Sequence, residues 1–163
     1  MKIALLNDTH FGCRNDNPAF IEFQNKFYNE QFFPYLQQHN IKCLVHLGDV
    51  VDRRKFINHN TAHNFKKVFW DRLDDMGIET HIIIGNHDTY YKNTNETNCA
   101  NLLIYHKNVN VYTKPVDKSF NGITVGFVPW ICPDNYDESL KYLKTTKSQI
   151  LFGHFEILPL LMI

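Results

Sequence analysis

The chain has 163 residues, 44% hydrophobic and 21% charged, the proportions of one globular domain with its own core. Its longest apolar runs fall far short of the roughly 18 residues of a membrane span, and KIALLN behind Met1 reads as a strand, not a leader peptide. Lys plus Arg and Asp plus Glu are 17 each, a balance that neither favours nor excludes a polyanionic partner, because bound cations add charge that a residue count does not see.

In chain order, Ile3 to Leu6 reads as a strand, and residues 18–38 carry apolar side chains at helical spacing: Phe20, Phe23, Phe27, Tyr28, Phe32, Tyr35 and Leu36. Ile41 to Leu47 is a second strand. A helix over 60–76 follows, with Phe65, Val68, Phe69, Leu73 and Met76 on one stripe and Gly77 as a stop signal. Glu79 to Ile84 is a third strand, and a shorter helix near 97–106 precedes the strand Val109 to Tyr112. Asn121-Gly122 between two apolar stretches predicts a hairpin, with Thr124 to Val128 as its returning strand. A helix near 136–145 leads into Gln149 to Phe152. The pattern predicts an α/β layered domain, with parallel strands first and then a hairpin that continues the sheet or starts a second one. Aromatic residues are 14% of the chain, and most fall on helical stripes, which favours packing over the alternative of a stacking surface for bases. Cys13, Cys43, Cys99 and Cys132 form no C-x-x-C pair and read as free thiols of a reducing cytoplasm.

Four polar clusters each follow a predicted strand directly. They are NDTH (Asp8, His10), GDVVDRR (Asp49, Asp52), GNHD (Asn86, His87, Asp88) and GH (His154). A D-x-H, a Gly-Asp turn or a helix-capping Asn-His-Asp is ordinary when alone. Four behind four strands are different, because the carboxyl ends of parallel strands gather along one edge of an open sheet, where ligands bind. The remaining histidines, His39, His46, His59, His63, His81 and His106, read as solvated or structural.

Asp and Asn oxygens with His nitrogens form a borderline-hard donor set suited to Mn, Fe or Zn. Asp8 and His10 stand two apart, so on extended backbone both project to one side. Asp49 can bridge two ions with its two oxygens. Two divalent ions opposed by Asp8 and Asp49 leave a positive surplus, which suits hydrolysis of a phosphoester, and the neutral Asn86 preserves it. If Asn86 turns to a metal, extended backbone turns His87 away, toward the leaving oxygen as a general acid, with Asp88 holding its orientation.

At D-x-H, G-D-x-x-D-R, G-N-H-D and G-H the sequence resembles the calcineurin-like metallophosphoesterases. Within them it is most similar to the SbcD-like nucleases of DNA repair and recombination, their T-even phage branch above all. That closer likeness rests on GDVVDRRKFINHNTAHNF, GIETHIIIGNHDTYYKN, VPWICPDN and GHFE, and runs over nearly the whole chain. The resemblance implies a manganese-dependent exonuclease or endonuclease acting on DNA ends in the cytoplasm, partnered with an ABC-type coiled-coil ATPase. It also implies a homodimer built on the helices at 18–38 and 60–76. Carried over by motif, Asp8, His10 and Asp49 would hold one ion and Asp49, Asn86 and His154 the second. His87 would protonate the leaving oxygen, and Asp52 and Arg53 would shape their loop.

One departure stands out. The family closes its metal site with G-H-x-H, whereas here His154 matches an earlier single-histidine motif and Glu156 stands where no second histidine follows. The expectation is that residues 1–163 are the front part of a longer metallophosphoesterase domain whose last ligands and capping domain lie beyond. A phosphatase or cyclic-nucleotide phosphodiesterase of the same superfamily, and a non-catalytic metal-binding module that recruits a partner, are the competing readings.

Overall fold

The computed structural model describes residues 1–155; Glu156 and the possibility that it replaces a histidine lie outside them. β1 (Ala4–Leu6), β2 (Cys43–His46), β3 (Glu79–Ile83) and β4 (Val109–Tyr112) form a four-stranded parallel sheet in that order. Leu6 stands opposite His46, and His46 opposite Ile82, so the strands end together at one edge. β5 (Val116–Phe120) and β6 (Ile123–Val128) form the predicted hairpin, whose Asn121 (φ 50°) and Gly122 (φ 83°) both take the left-handed backbone that a tight hairpin turn demands. β7 (Ile150–Gly153) adds to β6 in parallel, so the hairpin begins a second, three-stranded sheet instead of extending the first.

The layers follow from the two-residue period of the strands. Leu44 and Ile82 face a helical layer and pack with Phe65, Phe69, Trp70 and Leu73. The intervening Val45 and Ile83 face the second sheet and meet Tyr112, Val125 and Phe127. Because β2 and β3 have protein on both faces, every residue of theirs but Glu79 is buried.

The long helices differ from the periodicity. A one-turn segment, α1 (Cys13–Asp16), precedes them and has no periodic signature. The helix predicted over 18–38 is α2 (Pro18–Phe27), a π-helical stretch at Tyr28–Phe32, and α3 (Phe33–Gln38). That over 60–76 is α4 (His59–Phe65), a π-helical stretch at Lys66–Trp70, and α5 (Asp71–Asp75). Each π turn accommodates an extra residue and rotates the following stripe by about 100°. Before the π turn the inward face of α2 runs through Ile21, Gln24, Asn25 and Tyr28, so Phe20, Phe23 and Phe27 stay 45%, 72% and 37% exposed; beyond it Phe33 and Leu36 are buried. The two π stretches pack on each other, with the Phe69 ring 5.0 Å from Tyr28 and 6.1 Å from Phe32. α6 (Cys99–Leu103) is shorter than predicted because Asn98 caps it by accepting the Asn101 N–H and Ile104 already has extended backbone. α7 (Tyr136–Thr145) matches its predicted span. All four cysteines are unpaired.

Phe69, fully buried at the junction of the π stretches, and Phe23, 72% exposed, are a matched pair for testing this packing. Phe69→Ala is expected to cost about 3–5 kcal/mol, and Phe23→Ala about 0.5 kcal/mol or less, by urea unfolding of the isolated chain. Equal losses would contradict the burial of Phe69 and the exposure of Phe23.

Candidate metal centre

The polar clusters behind β1, β2, β3 and β7 meet at the common strand edge. His10 Nε2 lies 3.7 Å from Asp8 Oδ1 and 3.7 Å from Asp49 Oδ2. On the other side of the same carboxylate, His154 Nε2 lies 3.5 Å from Asp49 Oδ1 and 2.9 Å from Asn86 Oδ1. Asp49 thus presents one oxygen to each of two donor groups. A cation about 2.1 Å from two ligands holds them no more than roughly 4.2 Å apart, and each of these pairs fits that limit. The donor atoms of Asp8, His10 and Asp49 all lie within 4.8 Å of one another, and Asp8, 48% exposed, has room to turn inward.

Proton accounting points to cations as well. The Nδ1–H of His154 donates to the Leu47 carbonyl at 2.8 Å, so the Nε2 of a neutral ring aims a lone pair at the Asn86 and Asp49 oxygens. Three acceptors facing one another, with the His87 N–H donating to Asp49 Oδ1, make a place that a proton or a metal ion would stabilise. His10 lies among carboxylates: its Nε2 faces Asp8 and Asp49, and its Nδ1, which makes no hydrogen bond, lies 3.7 Å from Asp52 Oδ1.

The backbone that carries these groups is not extended, as the two-residue spacing argument assumed. Asp8 (φ 51°), His10 (φ 41°) and Asp49 (φ 54°) are all left-handed, a conformation costing non-glycine residues about 1–2 kcal/mol each. Main-chain bonds hold the strain: Asp8 N–H donates to the Gly48 carbonyl, His10 N–H to that of Asp49 and Phe11 N–H to that of Val50. Gly48 and Gly85 let the two loops touch. A Cβ on Gly85 would lie 2.3 Å from Asp49 Oδ1, and one on Gly48 would lie 2.7 Å from His154 Nδ1.

Asn86, His87 and Asp88 form a turn, and their division of labour differs from the expectation in one respect. Asn86 and His87 both border the site, the His87 ring lying edge-on to His10 at 4.9 Å. Asp88 does not orient the imidazole. It is 1% exposed, and its carboxylate accepts the N–H groups of Gly85 (2.9 Å), Asp49 (2.9 Å) and Val50 (2.7 Å). Burial, joined by the charge of Asp49, pushes its carboxyl above the usual range, while the N–H donors of Gly85, Val50 and Val51 pull it back. His87 is held instead by the carbonyl of Asp52, to which its Nδ1–H donates at 2.6 Å. Asp88 is therefore a positioning residue for the Asp49 loop, since its two oxygens face main-chain donors and not the ring. Arg53 pairs with Asp16 and donates to Asn15 Oδ1, which ties its loop to the segment behind β1.

His46 contributes more than a strand position suggests. Fully buried, it accepts the Gly48 N–H on Nδ1, so its Nε2–H donates to Thr9 Oγ1 at 3.1 Å, and Thr9 in turn donates to the Val50 carbonyl. It thereby ties the Asp8–His10 loop to the Asp49 loop. A histidine that breaks the apolar run of β2 just before the Gly-Asp pair was the available signal. Burial, then the charges of His154 and His10, lower its pKa from the ordinary 6.5 to about 3. The folded chain thus keeps His46 neutral where the unfolded chain protonates it. Its contribution to stability is complete above pH 6.5 and falls as pH drops toward 3, by up to about 1.4 kcal/mol per unit. Urea unfolding in chelator between pH 7.5 and 4 is expected to show a shallower pH slope for His46→Asn, whose amide oxygen can stand in for Nδ1. Identical slopes would remove His46 from this role.

Residues 1–157 match the family described as calcineurin-like phosphoesterase. A curated relative, "Exonuclease subunit 1" of Enterobacteria phage T4, is 36% identical over 158 residues, covering 96% of this chain and 46% of that protein. The chain therefore spans about half the length of that relative. A solved structure of a protein of unknown function from Aquifex aeolicus aligns over 87% of this chain and 72% of its own, at 16% identity and a TM-score of 0.41. With the family's model spanning all four polar clusters, the chain belongs to the calcineurin-like phosphoesterases.

Proposed function

We propose that the chain is the metal-binding part of a manganese-dependent DNA nuclease, acting on DNA ends as a subunit of a recombination or repair complex in the cytoplasm. The family supports a phosphoester hydrolase, and the phage relative's description as an exonuclease subunit favours a phosphodiester of DNA over a small metabolite. The observation that carries the reading is the placement of Asp49, with one oxygen toward His10 and the other toward His154. In this reading Asp8, His10 and Asp49 hold one ion, and Asp49, Asn86 and His154 hold the other.

Two divalent ions bound there would supply positive charge to the phosphoryl oxygens and lower the pKa of a water nucleophile. The chain's own residues do the rest. Asp8 and Asp49 are the only anionic donors in the set, so the site keeps a net positive field for a phosphodiester. His87, with Nδ1–H fixed on the Asp52 carbonyl, leaves Nε2 to carry a proton to the leaving oxygen. Asp88 keeps the loop of Asp49 in register beneath them. For the complete protein we propose an ATPase partner subunit and a homodimer. The exposed Phe20, Phe23 and Phe27 stripe supports a second copy as its cover. No helix among the described residues is long and apolar enough to cross a membrane.

Manganese-dependent cleavage of linear DNA, compared with hydrolysis of a p-nitrophenyl monoester, tests the reading in the full-length protein; preference for the monoester would replace it with a phosphatase. His87→Ala is expected to lower DNA cleavage by roughly 10²–10⁴-fold. Calorimetry should show that it still binds both ions. Asp49→Ala is expected to lose both ions, whereas Asp8→Ala should retain one. Two-ion binding by Asp49→Ala would overturn the bridging assignment.

A further inference from the structure

Two stretches beside the metal centre stand apart from the rest of this neutral chain. Arg53-Arg54-Lys55-Phe56 follows Asp52, and Thr89-Tyr90-Tyr91-Lys92 follows Asp88. Together they carry four cations, three aromatic rings and no carboxylate. The rings are not core: Phe56 is 65% exposed, Tyr90 40% and Tyr91 52%. Tyr90 and Tyr91 meet edge to face at 4.7 Å, and Lys55 Nζ lies 5.6 Å from the Tyr90 ring. Arg54 joins the two stretches, donating to Thr89 Oγ1 at 3.2 Å while its guanidinium lies over Trp130 at 5.2 Å. The Tyr90 N–H is tied to the Thr97 carbonyl at 2.9 Å. The aromatic surface is therefore organised before any ligand arrives.

The surface cannot be far from the chemistry. Tyr90 is three residues beyond His87, so their Cα atoms are at most about 11 Å apart. That is about three steps along a stacked strand at roughly 3.4 Å each. The cavity between the two stretches is about 160 Å³, well below the roughly 300 Å³ at which small-molecule pockets begin, so it does not enclose a nucleotide. What the surface offers is ring faces and cations.

We propose that Phe56, Tyr90 and Tyr91, with Arg54, Lys55 and Lys92, form a stacking platform for the unpaired bases of single-stranded DNA entering the metal centre. This rests on the nuclease reading and specifies its substrate. A duplex hides its base faces and offers a protein mostly phosphates, for which exposed rings are no advantage. A single strand offers every base face to an aromatic ring and its phosphates to Lys and Arg. The platform thus selects frayed or single-stranded ends over blunt duplex.

The test is fluorescence anisotropy of the 163-residue chain with fluorescein-labelled oligothymidine and with a blunt duplex of equal length, in chelator so that nothing is cleaved. The single strand is expected to bind more tightly than the duplex. Tyr90→Ala, Tyr91→Ala and Phe56→Ala should each weaken single-strand binding by about fivefold or more while duplex binding stays within about twofold. Tyr90→Phe and Tyr91→Phe should bind like the parent, because stacking needs the ring and not the hydroxyl. Lys55→Gln should weaken both ligands and reduce the salt slope by about 1. Melting temperatures of all variants should match the parent, as these side chains are exposed. Tighter duplex binding, or alanine variants that lose both ligands equally or lose neither, would overturn the platform. Because binding is read without metal, failure of manganese-dependent cleavage would sink the nuclease reading and leave this result standing.

Discussion

A single buried carboxylate organises the centre. Asp88 sits at the exit of β3, 1% exposed, and gathers the N–H groups of Gly85, Asp49, Val50 and, at 3.3 Å, Val51. Without it those donors at the exits of β2 and β3 would be buried and unpaired, and each such orphan costs about 1–3 kcal/mol. The thiol of Cys99 and the Cys99 N–H also bond to Asp88, so α6 is fastened to the same point. The main-chain N–H dipoles around the carboxylate offset part of the cost of burying it.

From that point the geometry spreads outward. Asp88 fixes the path of Gly48 to Val51, and this path sets the left-handed backbone at Asp49 that splits its two oxygens between His10 and His154. The first loop then pairs with the second by main-chain bonds from Asp8, His10 and Phe11, and Asp52 N–H answers to the Phe11 carbonyl. Gln24, on α2, donates to the Thr9 carbonyl at 2.7 Å and links the helical layer to the same loop. Strain at Asp8, His10 and Asp49 is thus distributed over sheet-like pairing that continues past the ends of β1 and β2. Rigid support of this kind allows converging acceptors to stay close before a cation joins them.

Electrostatics and packing divide the work between the two layers beneath the site. The helix-facing core of Phe65, Phe69, Trp70 and Leu73 holds the sheet flat against the helices. The core between the sheets, through Val45, Ile83, Val125 and Phe127, brings β7 alongside, and β7 delivers His154 from 107 residues beyond Leu47, whose carbonyl it meets. His46 lies at the boundary, neutral because it is buried among apolar groups and near two other imidazoles. His154 and His87, which face the centre, are each held by a second contact that faces away from it, the carbonyls of Leu47 and Asp52.

The order of elements and the identity of the chemistry were written in the linear chain. Apolar runs of the right length were each followed at once by Asp, Asn or His, and a parallel sheet brings such strand ends together whatever lies between them. The Asn121-Gly122 turn was equally local, because left-handed backbone at two adjacent residues selects those residue types. Only the tertiary structure decided who holds whom. The partner of Asp88 is a run of main-chain N–H groups up to 39 residues away, and that of His87 is the carbonyl of Asp52. Every residue offers such groups, so no residue type announces them. The exposure of Phe20 and Phe23 beside the burial of Tyr28 and Phe33 was likewise hidden. A π turn shifts the phase of a stripe without changing its composition, and whether that phase faces core or solvent is set by what packs against it.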